Sequence, residues 1–240
     1  MTITKEHAQK HKVVSKDEWL KASKEFLEKE KEFTQKRDEI SRQRRELPWV
    51  KVDKNYVFDT TEGKKTLAEL FENHSQLIVY HFMFGPRWKE GCPGCSFVSD
   101  HIDSILPHLK AKDVSLVVIS RGPLTQIEPF KKRMGWQFKW ASSYGSDFNY
   151  DYNVSFTKEQ LDTGEVNYNY QMQSPHSEEA HGHSVFYKDE NGDIFHTYSS
   201  YARGCEMMLT TYSYLDILPK GREEESFNPP MSWVRHHDRY

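Results

Sequence analysis

Apolar residues are unevenly spread along this chain, and the unevenness predicts its elements. Residues 1 to about 14 are polar and read as a frayed start. From there the large side chains Trp19, Phe26, Phe33, Ile40 and Leu47 recur every seventh position, while Ala22, Lys29, Lys36 and Gln43, three places on from the first four, are small or polar. So thin a stripe predicts a long charged helix that cannot belong to a core. Ser15-Lys16-Asp17-Glu18 has the form of a capping box at its start, and Pro48 stops it. This arm, residues 1–47, either lies along its own domain or reaches a second subunit as a homodimer contact. Its cluster Arg42, Arg44 and Arg45 reads as a solvated face.

Beyond the arm the pattern changes period. Residues 48–58 predict one or two short strands turned at Asp53-Lys54-Asn55, with a further turn at Glu62-Gly63 and a short helical piece over 66–71. Residues 76–84 (QLIVYHFMF) and 114–120 (VSLVVIS) are continuously apolar, as strands covered on both faces are. Between them Val98, Ile102, Ile105 and Leu109 fall at helical spacing, so strand, helix and strand predict a right-handed βαβ unit with parallel strands. A helix follows over 124–134 despite Pro129, then a short strand over 138–141. Residues 142–175, rich in Tyr, Asn, Ser and Asp, read as an insertion with a hairpin near 167–171, whose aromatics serve packing or a lid. A hairpin spans 183–198, turned at Glu190-Asn191-Gly192-Asp193. A last helix from about Arg203 places Cys205, Leu209, Tyr212 and Leu215 on one stripe, which makes Cys205 a buried, inert thiol. His81, inside an apolar strand, reads as a core histidine. Residues 219–240 form an irregular strap.

The candidate chemistry lies at one place in this pattern. Gly91-Cys92-Pro93-Gly94-Cys95-Ser96 sits between the first apolar strand and the following helix, beyond the carboxyl end of a parallel strand, where open α/β sheets bind ligands. Backbone N–H groups at a helix start favour a thiolate, and Pro93 loses nothing in the first turn. Cys92 as the exposed thiol would attack a disulfide, and Cys95, one turn on, would resolve it. Arg87 and Lys89 are candidates to stabilise the anion, with Glu90 working against them.

Charge and composition narrow the picture further. A net charge of -3 with mixed signs along 240 residues gives no electrostatic case for nucleic acid or an anionic membrane. No signal-like segment and no bilayer-length apolar run are visible, so the cytoplasm is the expected compartment. Three cysteines do not build a disulfide-stapled domain, and in a reducing compartment a C-x-x-C pair is catalytic or metal-binding. Motifs for nucleotide binding, zincins and serine hydrolases are absent from the sequence, and no bound cofactor is expected.

The order of elements is that of a thioredoxin-like α/β domain, related also to peroxiredoxins: a sandwich with a central mixed sheet over residues 48–218. The segments PWVKVDKNYVFDTTEGKKTLAELF, QLIVYHFMFGPRWKEGCPGCSF, RMGWQFKWASSYGSDFNYD, HGHSVFYKDENGDIFHTYSSYARG and YLDILPKGREE resemble the family called domain of unknown function 899, a thioredoxin-like group described as predicted dithiol-disulfide oxidoreductases. The resemblance implies a redox-active Cys92–Cys95 pair with Pro93 and Gly94 between, acting on protein or small-molecule disulfides and thiols. Two departures from thioredoxin stand out. The middle residues are Pro-Gly where thioredoxin has Gly-Pro, with Trp88 the nearest tryptophan, and no proline stands near His183-Ser184, before the strand that would face the thiols.

Other readings stay open at this level. In a thiol peroxidase Cys95 would be peroxidatic and Cys92 resolving, with Arg121 polarising the peroxide. A soft-metal site for Cu(I) or Zn would use Cys92 and Cys95, with Cys205, His176, His181 and His183 as further donors. An interaction module in which the cysteines are incidental is the plainest alternative.

Overall fold

The computed structural model describes residues 11–240, so the first ten residues of the polar start lie outside it. The chain divides into two compact units between Pro48 and Trp49. In the first, α1 (Lys16–Arg45) begins with the capping box foreseen: the Ser15 hydroxyl accepts from the Glu18 amide, and the Glu18 carboxylate accepts from the Ser15 amide. Arg42, Arg44 and Arg45 fall in its last turn, where positive charge suits the exposed carbonyls. No residue of α1 is buried, and its large side chains stay open, Phe33 at 69% exposure.

The second unit holds an eight-stranded sheet. In chain order its elements are β1 (Val50–Lys51), β2 (Val57–Thr60), β3 (Gly63–Thr66), α2 (Leu67–Leu70), β4 (Gln76–His81), α3 (Pro93–Ser99), α4 (Ile102–Lys110), β5 (Val114–Ser120), α5 (Leu124–Arg133), β6 (Lys139–Ser142), α6 (Phe148–Asp151), α7 (Lys158–Asp162), the small hairpin β7 (Val166–Tyr168) and β8 (Gln171–Gln173), β9 (Gly182–Lys188), β10 (Ile194–Tyr201) and α8 (Thr210–Leu215). The sheet order is β1-β10-β9-β4-β5-β6-β2-β3. β4, β5 and β6 run parallel through two helical crossovers, and β9 adds antiparallel to the other edge of β4 with Tyr80 opposite His183. A parallel βαβ pair joined to an antiparallel hairpin, β5-β4-β9-β10, is the thioredoxin-like core that the order of elements implied.

Alternation along the strands separates two cores. Tyr80, Phe82 and Phe84 of β4 and its extension, Val118 of β5 and Trp140 of β6 point to one face, under α3, α5 and the C-terminal strap. Leu77 and Val79, Val117 and Ile119, and Ala141 point to the other, under α2 and the insertion. Both cysteines of the C-x-x-C belong to the first face.

Some expectations need correction. The helix after the cysteines is interrupted at Asp100-His101, so that α3 and α4 replace one continuous helix; Ile105 is 41% exposed although Val98 and Ile102 are buried. Asp100 is held there by the Trp136 indole and by His237. The last helix is also divided: residues 202–208 form a 3-10 helix entered through Ala202 at φ +48, and α8 follows, though Cys205, Leu209 and Tyr212 are buried as the stripe required. β1 and β2, read as neighbours across a turn, lie in opposite halves of the sheet, and β3 was not foreseen.

The insertion is part of the second core and not a lid over the cysteines. Phe148, fully buried, meets Tyr56 at 5.0 Å, Phe58 at 4.9 Å and Tyr152 at 4.7 Å. Phe148→Ala should therefore destabilise the whole second unit, by about 3–5 kcal/mol, read as a lower midpoint of a single cooperative denaturant transition.

Candidate active site

The end of β4 and the start of α3 are tied together through one residue. The chain leaves β4 at His81, and Phe82 still follows the sheet, its amide donating to Ile119 O. Met83 then accepts from the Cys92 amide at 3.1 Å and donates its own amide to Cys95 Sγ at 3.4 Å. Gly91, just before the motif, has no room for a side chain: an added Cβ would meet the Phe82 ring at 2.5 Å and Phe130 at 2.9 Å. Pro93 occupies the first helical position, where its missing N–H costs no hydrogen bond, and Ser96 bonds back to Cys92 O through amide and hydroxyl.

The two thiols, both free, differ in environment. Cys92 is partly exposed at the cap of α3, and Cys95 is buried at 2% exposure. The Cys95 S–H facing Cys92, helped by the Cys95 and Gly94 amides and opposed by desolvation, brings the Cys92 pKa down to about 7. Burial, reinforced by the Cys92 charge, pushes Cys95 well above the ordinary thiol range. Gly94 borders the Cys92 sulfur; an added Cβ would lie 3.8 Å from Cys92 Sγ and 3.7 Å from Met231, at ordinary contact distance.

Arg87, Arg121 and Glu90, singled out in the sequence, have other partners. Arg87 is spent on Glu178 at 2.7 Å, to which the Trp88 indole also donates at 3.1 Å. Arg121 donates to buried Glu179 and to the Tyr150 hydroxyl, and Glu179 also accepts from Ser155. Glu90 is paired with Arg133 and Arg239. Thus the lowered pKa of Cys92 owes nothing to Arg87, and Glu90 does not act on it as an isolated charge.

Other residues around the motif carried no clear sequence signal. The strap runs alongside it: His236 Nε2 pairs with Gly91 O at 2.8 Å, Trp233 meets Phe97 edge-on at 5.6 Å, and Arg133 is bound to Asp238. At the position where thioredoxin would carry its proline, His183 stacks on Tyr80 at 4.6 Å, with Nδ1 3.4 Å from Cys205 Sγ. That pairing was latent in the sequence, since registering the strand from His183 antiparallel to residues 76–81 sets it opposite Tyr80. His81 is fully buried, bonded to Ser184. Among the described residues no three His, Cys, Asp or Glu side chains are grouped as a metal ion would require, so the donors proposed from His176, His181, His183 and Cys205 do not assemble around Cys92 and Cys95. No helix among them is long and apolar enough to cross a membrane.

Fold and motif together define a thioredoxin-like chain with a C-x-x-C at the opening of a helix. More particularly, it belongs to the family described as bacterial protein of unknown function DUF899, whose model matches residues 8–240. No curated protein matches the sequence. Among solved structures, the peroxidoxin BcpB of Mycobacterium tuberculosis is similar at 12% identity, covering 69% of this chain and 95% of that one, with a TM-score of 0.45. Peroxiredoxin Q of Xanthomonas campestris is similar at 14% identity, with coverages of 68% and 91% and a TM-score of 0.44. A protein described as a thiol:disulfide interchange protein, DsbE, from Chlorobium tepidum gives 12%, 69%, 97% and 0.41. None of these likenesses assigns a role to a residue of this chain.

Alkylation should report the asymmetry of the thiols. With iodoacetamide, Cys92 should be modified first, at a rate that rises with pH through a midpoint near 7 as the thiolate forms. Cys95 should stay unmodified until the protein unfolds, as peptide mass mapping would show.

Proposed function

We propose that the chain is a thiol-disulfide oxidoreductase in which Cys92 attacks and Cys95 resolves. The observation that carries this reading is the unequal burial of two neighbouring thiols, with ionisation easier at the partly exposed one. Cys92 as thiolate attacks one sulfur of a disulfide, and that S–S bond breaks as the Cys92 mixed disulfide forms. The departing thiolate takes up the proton that Cys92 gave to solvent. Cys95 then attacks Cys92 Sγ, the Cys92–Cys95 disulfide forms, and the second substrate thiolate leaves and is protonated. The substrate disulfide gains the two electrons that the protein dithiol loses. Burial of Cys95 weighs against the converse assignment, in which Cys95 would have to meet a peroxide while ionised.

A trapping experiment tests the assignment. Cys95→Ser should accumulate a mixed disulfide on Cys92, seen as an adduct in the intact mass, and Cys92→Ser should abolish disulfide exchange. Adducts on Cys92→Ser and none on Cys95→Ser would reverse the roles. Turnover of hydrogen peroxide with no turnover of disulfides would replace the proposal with the peroxidase reading.

A further inference from the structure

Tyr80 lies on β4 on the same face as the cysteines, completely buried. Its ring is fixed by stacking on His183 at 4.6 Å and by Phe82 edge-on at 6.2 Å, while His183 is itself held against Cys205. The hydroxyl has no hydrogen-bond partner of ordinary geometry. A buried hydroxyl left idle is destabilising, so an orphan of this kind calls for an explanation. Tyr80 and Cys95 belong to one buried cluster on this face of the sheet, and each is among the groups that shift the ionisation of the other. The Cys95 sulfur already has one donor, the Met83 amide.

We propose that the Tyr80 hydroxyl joins the Met83 amide in a two-donor cradle for the Cys95 thiolate, which makes Tyr80 a catalytic residue of the resolving step. The inference rests on the dithiol reading above. In the reduced protein the Cys95 S–H serves the Cys92 sulfur, and a neutral thiol is a poor acceptor for the phenol. Once Cys92 is bonded to a substrate sulfur its charge is gone, and with it one of the effects holding Cys95 in its protonated form. Cys95 then loses its proton to solvent, and the phenol donates to the new anion through a charge-assisted bond. Burial raises the pKa of the Tyr80 phenol well above its ordinary value, so the phenol stays protonated and acts as donor and not as base. The titratable groups around Cys95 are Cys92 on its own helix, Tyr80 on β4 and, at longer range, Tyr168.

The symmetric disulfide of nitrothiobenzoate separates the two steps, because its coloured thiolate is released once when Cys92 is captured and again when Cys95 resolves. In the full chain carrying Tyr80→Phe, the first release should stay within about twofold of wild type. The second should slow about ten- to a hundredfold, with the pH midpoint of its rate displaced upward. The hydroxyl is idle in the reduced state, so the variant should melt no lower than wild type. If it does melt lower, Tyr80→Met, whose flexible side chain adapts to the space, must give the same slowing. A second phase unchanged in rate and in pH midpoint would overturn the inference and leave the dithiol reading intact. A wild-type chain that releases no first equivalent would overturn both.

Discussion

The backbone of Met83 is the constraint on which the placement of the C-x-x-C depends. Its carbonyl takes the Cys92 amide and its amide reaches Cys95 Sγ, so one residue just past the end of β4 sets both cysteines relative to the sheet. The segment 82–91 can turn back to meet it only because Gly91 leaves room for the Phe82 and Phe130 rings. Those rings belong to an aromatic cluster in which Phe82 meets Trp140 at 4.6 Å and Phe84 meets Phe130 at 5.5 Å. Core packing and thiol placement are thus one problem: a change in the cluster would displace Gly91 and pass through Met83 to the sulfurs.

The same arrangement makes the two thiols unequal without a dedicated charge. Placing a sulfur over the helix-start amides favours its anion, and sinking the next one into an aromatic core penalises its anion. Once Cys92 ionises, the pair holds a single proton and each effect strengthens the other: the more firmly Cys95 keeps its hydrogen, the better it donates to Cys92.

Much of this was legible in the sequence, and the parts that were not have a common physical cause. The capping box, the two apolar strands, the helix through Pro129 and the C-x-x-C at a strand-to-helix junction are local features, set by a few adjacent residues. Cys205 and His81 were readable as core because their neighbours in sequence are apolar. The break at Asp100-His101 depends on distant groups, and the entry to the 3-10 helix on a single residue, Ala202, at positive φ, neither of which periodicity registers. Arg121 drew attention as a lone cation at a strand end, yet Glu179, fifty-eight positions further on, takes up its guanidinium. Nor could the strap be assigned to the motif, since the His236 contact with Gly91 spans 145 positions.

Pairing of the surrounding charges has a consequence for how the site works. Arg121 is paired with Glu179, Arg87 with Glu178, and Glu90 with Arg133 and Arg239, so these groups largely cancel one another beside the motif. Stabilisation of the Cys92 anion then falls to fixed dipoles at hydrogen-bond range, which bulk salt screens far less than it screens surface charges. A field of that kind is short in reach and offers little steering to a charged substrate from a distance. On the proposed dithiol reading, discrimination is accordingly a matter of contact, of what can come within bonding distance of a sulfur bordered by Gly94 and Met231.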